Sequence, residues 1–191
     1  MSGIVVQDMG LIVNRGVGGQ GLWLSSLLES APIARFLSNL AETSSRVTAA
    51  TGTANRAYLV PIVPAANGPV NKAWWINGGT VSGNLDVGIY DKDGNRVAST
   101  GAVAQSGANA IQSAALTVVP TLLAGIPYYL AFSSSSATSE LFAVDAAGAQ
   151  IATACGFVQA ATAHPLPATV TFAAMASQYL YTFGLTYRTT V

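Results

Sequence analysis

Two aspartates and an asparagine at alternate positions, Asp91, Asp93 and Asn95, have the spacing with which a calcium-binding loop begins. Such a loop also needs a glycine at its sixth position and a carboxylate at its twelfth. Counted from Asp91, those positions hold Arg96 and Ala102, so the calcium pattern is incomplete. We therefore predict a hairpin turn here, and we expect the chain to bind no metal and no other cofactor.

The residue types of nucleophilic catalysis are present, but the sequence does not bring them together. The single cysteine, Cys155, and the single histidine, His164, are separated along the chain and have apolar neighbours. The serines at 133–136 follow a predicted strand and have no base beside them in the sequence, although a serine nucleophile requires one. The glycine-rich loop at 15–21 lacks the lysine of a phosphate-binding loop. We therefore expect no enzymatic activity.

Trp74 and Trp75 are adjacent, so within a strand their side chains face opposite sides of the sheet. One of them should enter the core, and the other should point away from it. The outward side chain could be covered by another packed layer or by a neighbouring subunit, or it could form a platform for a carbohydrate. Aromatic residues are enriched at the centres of protein interfaces, so both tryptophans are candidate interface residues.

The chain is unusually poor in charge. Only 8% of its residues are charged and its net charge is zero, whereas an ordinary soluble domain has about 25% charged residues. Its apolar runs are shorter than the roughly 20 residues of a membrane-spanning helix, and its basic residues are too scattered to bind nucleic acid. We therefore expect an assembly subunit that binds neither a membrane nor nucleic acid. The alternative is a soluble β protein in which small polar residues replace charged ones.

The N-terminal region, residues 1–55, has the pattern of a docking arm. Residues 30–42 predict one short amphipathic helix, because their apolar side chains recur at the spacing of a single helix face. We predict that this face contacts the main domain or a neighbouring subunit, and its candidate interface residues are Ile33, Phe36, Leu37 and Leu40. The stretch Ser44–Ala54 is rich in small residues and is interpreted as a linker.

Residues 56–191 predict an antiparallel β domain without helices, because short apolar runs alternate with Gly, Pro, Asn and Ser clusters. The hairpin at 86–99 is the clearest element, since Asp93-Gly94 supplies the positive φ that a tight turn needs. The last strand is predicted to run without a break over Tyr179–Tyr187, with Tyr179, Tyr181, Phe183, Leu185 and Tyr187 on one face. Further strands are predicted at Ala57–Val63, Ala73–Asn77, Gly83–Tyr90, Ala110–Val118, Tyr128–Ser133, Glu140–Val144 and Thr169–Ala174.

Two segments resemble virion structural proteins of tailed bacteriophages. Residues 82–100 read SGNLDVGIYDKDGNRVAST, and residues 123–132 read LAGIPYYLAF. The resemblance covers about residues 57–145 and implies a jelly-roll-like β-sandwich, similar also to carbohydrate-binding modules. It carries no catalytic residues.

This resemblance implies a non-enzymatic virion protein that is assembled in the host cytoplasm. We expect a capsid decoration or head-associated accessory protein that forms a homo-oligomer, which we assume to be a trimer. We also expect it to contact the major capsid protein or other virion proteins. The alternative is a tail, baseplate or fibre component whose β-sandwich binds a glycan.

Deletion of residues 1–42 is predicted to leave a folded β domain that no longer assembles, because the predicted arm supplies the docking contacts. Circular dichroism would report the fold and light scattering would report the assembly. A truncated protein that still assembles like the full chain would show that the arm is not the docking segment.

Overall fold

The computed structural model describes residues 23–25, 46–145, 148–154, 156–161 and 163–187. It confirms a mainly β protein with a sandwich-like arrangement of antiparallel sheets. In chain order the strands are β1 (Trp23–Ser25), β2 (Arg46–Ala50), β3 (Ala57–Ile62), β4 (Gly68–Ile76), β5 (Asn84–Asp91), β6 (Arg96–Ser99), β7 (Val103–Ala104), β8 (Ile111–Ala115), β9 (Thr121–Leu122), β10 (Tyr128–Ser134), β11 (Glu140–Asp145), β12 (Val158–Ala160), β13 (Ala173–Ala174), β14 (Tyr179–Tyr181) and β15 (Phe183–Tyr187). A short helix, α1, covers Ala149–Ala154.

The described strands form three sheets. The largest has seven strands in the order β13-β12-β3-β10-β5-β6, with β7 added beside β5. The second has five strands in the order β1-β15-β4-β8, with β9 added beside β4, and the third has the order β14-β11-β2. All pairings are antiparallel, as predicted from the short strands and turn-rich connections.

The three central strands of the large sheet, β3, β10 and β5, are buried on both faces. On β3, the side chains of Tyr58, Val60 and Ile62 enter the main core, and those of Ala57 and Leu59 enter a second cluster on the opposite face. This is the period-2 alternation of a strand, but with apolar residues on both sides. Strands β10 and β5 divide their side chains between the same two clusters.

Phe132 of β10 is the aromatic centre of the main core, because it contacts rings from all three sheets. Its ring centroid lies 5.3 Å from that of Tyr58, 4.9 Å from that of Tyr181 and 5.0 Å from that of Phe183. The contacts with Tyr181 and Phe183 are edge-to-face, a favoured geometry for aromatic pairs. These contacts hold the sheets together.

The second cluster is covered by the segment at 163–172, which has no regular secondary structure over most of its length. Its backbone is fixed to the β5–β6 hairpin. The N–H of Arg96 donates to the carbonyl of Ala168 at 2.8 Å, and the N–H of Val170 donates to the carbonyl of Gly94 at 2.9 Å. A segment far along the chain therefore serves as the outer layer of the sheet.

Three sequence predictions need correction. The linker interpretation of Ser44–Ala54 is wrong in part, because Arg46–Ala50 forms β2 and pairs with β11. The prediction of a helix-free chain after residue 56 is wrong at α1, whose alanine-rich sequence favours a helix. Of the predicted strand at Thr169–Ala174, only the last two residues form a strand, β13. The predicted helix at 30–42 lies outside the described residues, and the division of the chain at residue 55 remains a prediction.

The last strand is also not continuous. The chain changes sheets at Thr182, whose N–H donates to the carbonyl of Phe142 at 2.8 Å and whose carbonyl accepts the N–H of Ile76 at 3.3 Å. In a continuous strand Leu180 would face the side opposite to Tyr179 and Tyr181, yet it is fully buried because β14 and β15 belong to different sheets. A strand that turns a corner between two sheets can bury residues of both parities.

Gly94→Ala is predicted to destabilise the protein far more than Gly101→Ala. Both glycines have positive φ, at +83° and +70°, which costs an L-residue about 1–2 kcal/mol. A Cβ at Gly94 would also lie 2.4 Å from the carbonyl oxygen of Val170, whereas a Cβ at Gly101 meets nothing within 4 Å. Overpacking adds about 1–3 kcal/mol, so we expect a total cost of about 2–5 kcal/mol for Gly94→Ala. Urea unfolding of the two variants measures the difference, and equal costs would contradict the clash.

Candidate interaction surface

The two adjacent tryptophans lie on opposite sides of β4, as predicted. Trp75 is fully buried in the main core, and Trp74 is half-buried on the other face of the sheet. Trp74 lies opposite Ser113 of β8 and Gly184 of β15. Trp75 is therefore a core residue that offers no surface to another subunit, and of the two only Trp74 can make such a contact. The candidate interface residues Ile33, Phe36, Leu37 and Leu40 lie outside the described residues.

The aspartates with calcium-like spacing form a hairpin turn, as predicted. One carboxylate oxygen of Asp91 accepts the N–H of Asp93 at 2.9 Å and the N–H of Asn95 at 2.8 Å. Its other oxygen accepts the side-chain amide of Asn95 at 2.9 Å. These bonds lower the pKa of Asp91, with the Asn95 amide as the first cause. Asp91 therefore organises the turn with its own carboxylate.

No sequence pattern pairs the serine run with a base, but the structure brings one of these serines next to the histidine. Ser133 Oγ and His164 Nδ1 are 3.0 Å apart, at the boundary between β10 and the covering segment. Asp86, on β5, pairs with Ser133 across the sheet. Asp86 Oδ2 accepts the N–H of Leu166 at 2.9 Å, and Asp86 Oδ1 accepts the hydroxyl of Thr100 at 3.2 Å.

This polar cluster fastens the covering segment to the large sheet. Ser133 and Asp86 are both fully buried, so a substrate carbonyl has no path to the Ser133 hydroxyl. Burial raises the pKa of Asp86 against the opposing effect of its hydrogen bonds. Burial also lowers the pKa of His164, and the Asp86 charge opposes that change. The arrangement can therefore hold a loop in place.

An exposed apolar surface lies at the end of the sandwich where β3 stops and β10 begins. Two connections meet there: the N–H of Gly125 donates to the carbonyl of Pro64 at 2.9 Å, and the N–H of Ala124 donates to the side-chain oxygen of Asn67 at 2.7 Å. The carbonyl of Pro120 also accepts the N–H of Val70 at 2.9 Å. We call this surface the apolar tip, and its large exposed side chains are Val63, Val118, Val119, Leu123 and Ile126.

The loops that form the apolar tip contain no charged residue, although the turn that begins at Asp91 lies at the same end of the large sheet, since Asp91 pairs with Tyr128. The stretches 57–71 and 97–139, which supply all of it, contain no Asp, Glu, Lys or Arg. The side chains of Val118 and Leu123 are 54% and 48% exposed. Exposed apolar side chains gathered at one end of a protein are typical of surfaces that bind a partner. The composition predicts a surface that a partner covers, and the structure shows which loops expose large apolar side chains.

Across the described residues, no helix is long and apolar enough to cross a membrane. The same residues include no group of three or more His, Cys, Asp or Glu side chains that could hold a metal ion. Compared with known proteins, the chain matches no family model, and no curated protein is significantly similar to it.

The stability of the protein is predicted to fall as the pH drops below 6.5, because of His164. Its pKa is lowered in the folded state, so the unfolded chain binds the proton more readily. The stabilisation is complete above the ordinary pKa of 6.5 and is lost as the pH falls through the folded-state pKa. Since His164 is the single histidine, the difference between wild type and His164→Gln in denaturant unfolding across this range isolates its contribution. A difference that does not change with pH would contradict the lowered pKa of the half-buried imidazole.

Proposed function

We propose that the protein is a non-enzymatic structural subunit that assembles with copies of itself through the apolar tip. The observation that carries this proposal is the set of five large apolar side chains exposed on loops without any charge. In an isolated subunit these side chains would face water at a cost of about 25 cal/mol per Å² of apolar area. Burial between copies removes that cost.

The low charge of the whole chain supports assembly with identical copies. Its net charge is zero, and proteins near zero net charge lack the repulsion that keeps monomers apart. Most soluble oligomers are closed and symmetric, so a patch that meets its own copy forms a finite particle. A homo-oligomer with the apolar tip at its centre is compatible with the zero net charge and with closed symmetry.

The resemblance described above supports a place in the virion of a tailed phage, with a jelly-roll-like sandwich as the subunit. Capsid decoration or another head-associated role fits this proposal, because the subunit would then contact the major capsid protein as well as its own copies. The sandwich-like fold and the apolar tip are consistent with that role, and the phage assignment itself comes from the resemblance.

Leu123→Lys is predicted to weaken self-association by at least about tenfold, because a charge buried at an interface without a partner is costly. Val81→Lys is the matched control, since Val81 is exposed but lies in the loop between β4 and β5. Light scattering at two concentrations would show an oligomer for the wild type and the control and a shift toward monomer for Leu123→Lys. A wild type that is monomeric at both concentrations, or equal effects of the two substitutions, would overturn the proposal.

A further inference from the structure

A cavity of about 320 Å³ lies beside the start of β3, where the large sheet meets the three-stranded sheet. One wall is the turn that follows β2, including Thr51 and Thr53, and the opposite wall is the stretch from Ala176 to Tyr179. Arg56, Tyr58 and Tyr181 complete the lining. Small-molecule sites have volumes of about 300–1,000 Å³, so the cavity is large enough for one small ring.

Three tyrosines give this cavity an aromatic lining with fixed geometry. The rings of Tyr58 and Tyr181 are 5.3 Å apart at 51°, and those of Tyr179 and Tyr181 are 6.4 Å apart at 57°. The hydroxyl of Tyr58 donates to the carbonyl of Thr51 at 2.7 Å, and that of Tyr181 donates to the carbonyl of Ala50 at 2.8 Å. Tyr58 and Tyr181 are buried and locked, whereas Tyr179 is half-exposed.

Arg56 supplies the charge of the cavity. Of the described residues that line it, Arg56 alone carries a formal charge, and none is acidic. Burial raises the pKa of Tyr58, and the positive charge of Arg56 and its side-chain hydrogen bond to Tyr58 oppose that rise. Among the described residues, no carboxylate forms an ion pair with Arg56. In a chain with so few charges, a half-buried arginine that has no acidic partner among the described residues is a notable feature.

The remaining polar groups suit a hydroxylated ligand. Ser177 and Thr53 bring hydroxyl groups to the lining, and Gln178 brings a side-chain amide. The amide nitrogen of Gln178 donates to Asp145 at 2.9 Å, so its oxygen is the atom left to accept a hydrogen bond from a ligand. Asp145 itself does not line the cavity.

We propose that this cavity binds a sugar residue that carries a carboxylate, such as a uronic acid. The guanidinium of Arg56 has the fork geometry that recognises a carboxylate through two parallel hydrogen bonds. The exposed ring of Tyr179 offers an apolar face to the sugar ring, and the hydroxyl and amide groups bind its hydroxyls. The volume fits a single residue or the end of a chain.

This proposal goes beyond the structural function and does not depend on it. The cavity lies at the start of β3 and the apolar tip lies at its end, so the six residues of the strand separate them by about 20 Å at ~3.3 Å per residue. A ligand in the cavity therefore leaves the apolar tip free for assembly. The binding test can fail while the assembly test succeeds, and the reverse is also possible.

The test is isothermal titration calorimetry of the full chain with glucuronate and N-acetylneuraminate, each compared with a neutral partner, glucose or N-acetylglucosamine. We expect at least one acidic sugar to bind at least about tenfold more tightly than its neutral partner, since the charge-assisted pair is lost with the latter. Arg56→Gln should remove that preference. Lys72→Gln removes an exposed charge from β4 in the five-stranded sheet, which does not line the cavity. This control variant should leave binding unchanged.

The comparison of acidic and neutral sugars on the wild type requires no variant, so it stands even if Arg56→Gln fails to fold. Binding of neither acidic sugar, or equal binding of the acidic and neutral forms, would overturn the proposal. Acetate binding as tightly as glucuronate would show a general anion site and would also overturn it. If Arg56→Gln still prefers the acidic sugar, then Arg56 does not bind the carboxylate.

Discussion

The burial of β3, β10 and β5 on both faces is the constraint on which the rest of the structure depends. A strand with apolar side chains on both sides must be covered by two layers, because either uncovered face would leave large apolar area in water. The five-stranded and three-stranded sheets cover one face. The other face is covered by the segment at 163–172, although that segment has little regular secondary structure of its own.

An irregular covering layer needs polar fastenings, because it cannot rely on a ladder of strand hydrogen bonds. Asp86 provides one by accepting the backbone N–H of Leu166, and Ser133 provides another through His164. The β5–β6 hairpin contributes backbone bonds to Ala168 and Val170. A buried carboxylate is tolerated because its oxygens are hydrogen-bonded, although burial still raises its pKa. The polar residues at this face therefore fix the position of the layer.

The scarcity of charge has different consequences at the two ends of β3. At its far end, loops without charge leave apolar side chains exposed, which favours contact with another protein surface. At its near end, one of the few arginines lies among tyrosines without an acidic partner in the described part of the chain. A protein that uses so few charges keeps this one in a cavity, where a buried or half-buried charge acts strongly because less water screens it.

The sequence by itself determined the elements whose stabilising contacts are local. The turn at 91–95 was predictable because Asp91 bonds the backbone two and four residues later, and the opposite facing of Trp74 and Trp75 follows from strand geometry alone. The mainly β character followed from the short apolar runs and the spacing of the turns. Tertiary structure decided which faces are buried. The chain changes sheets at Thr182, so Leu180 before it and Phe183 after it both enter the same core. It also decided both proposed sites and the Ser133–His164 pair, since their residues are tens of positions apart and only packing of the sheets brings them together.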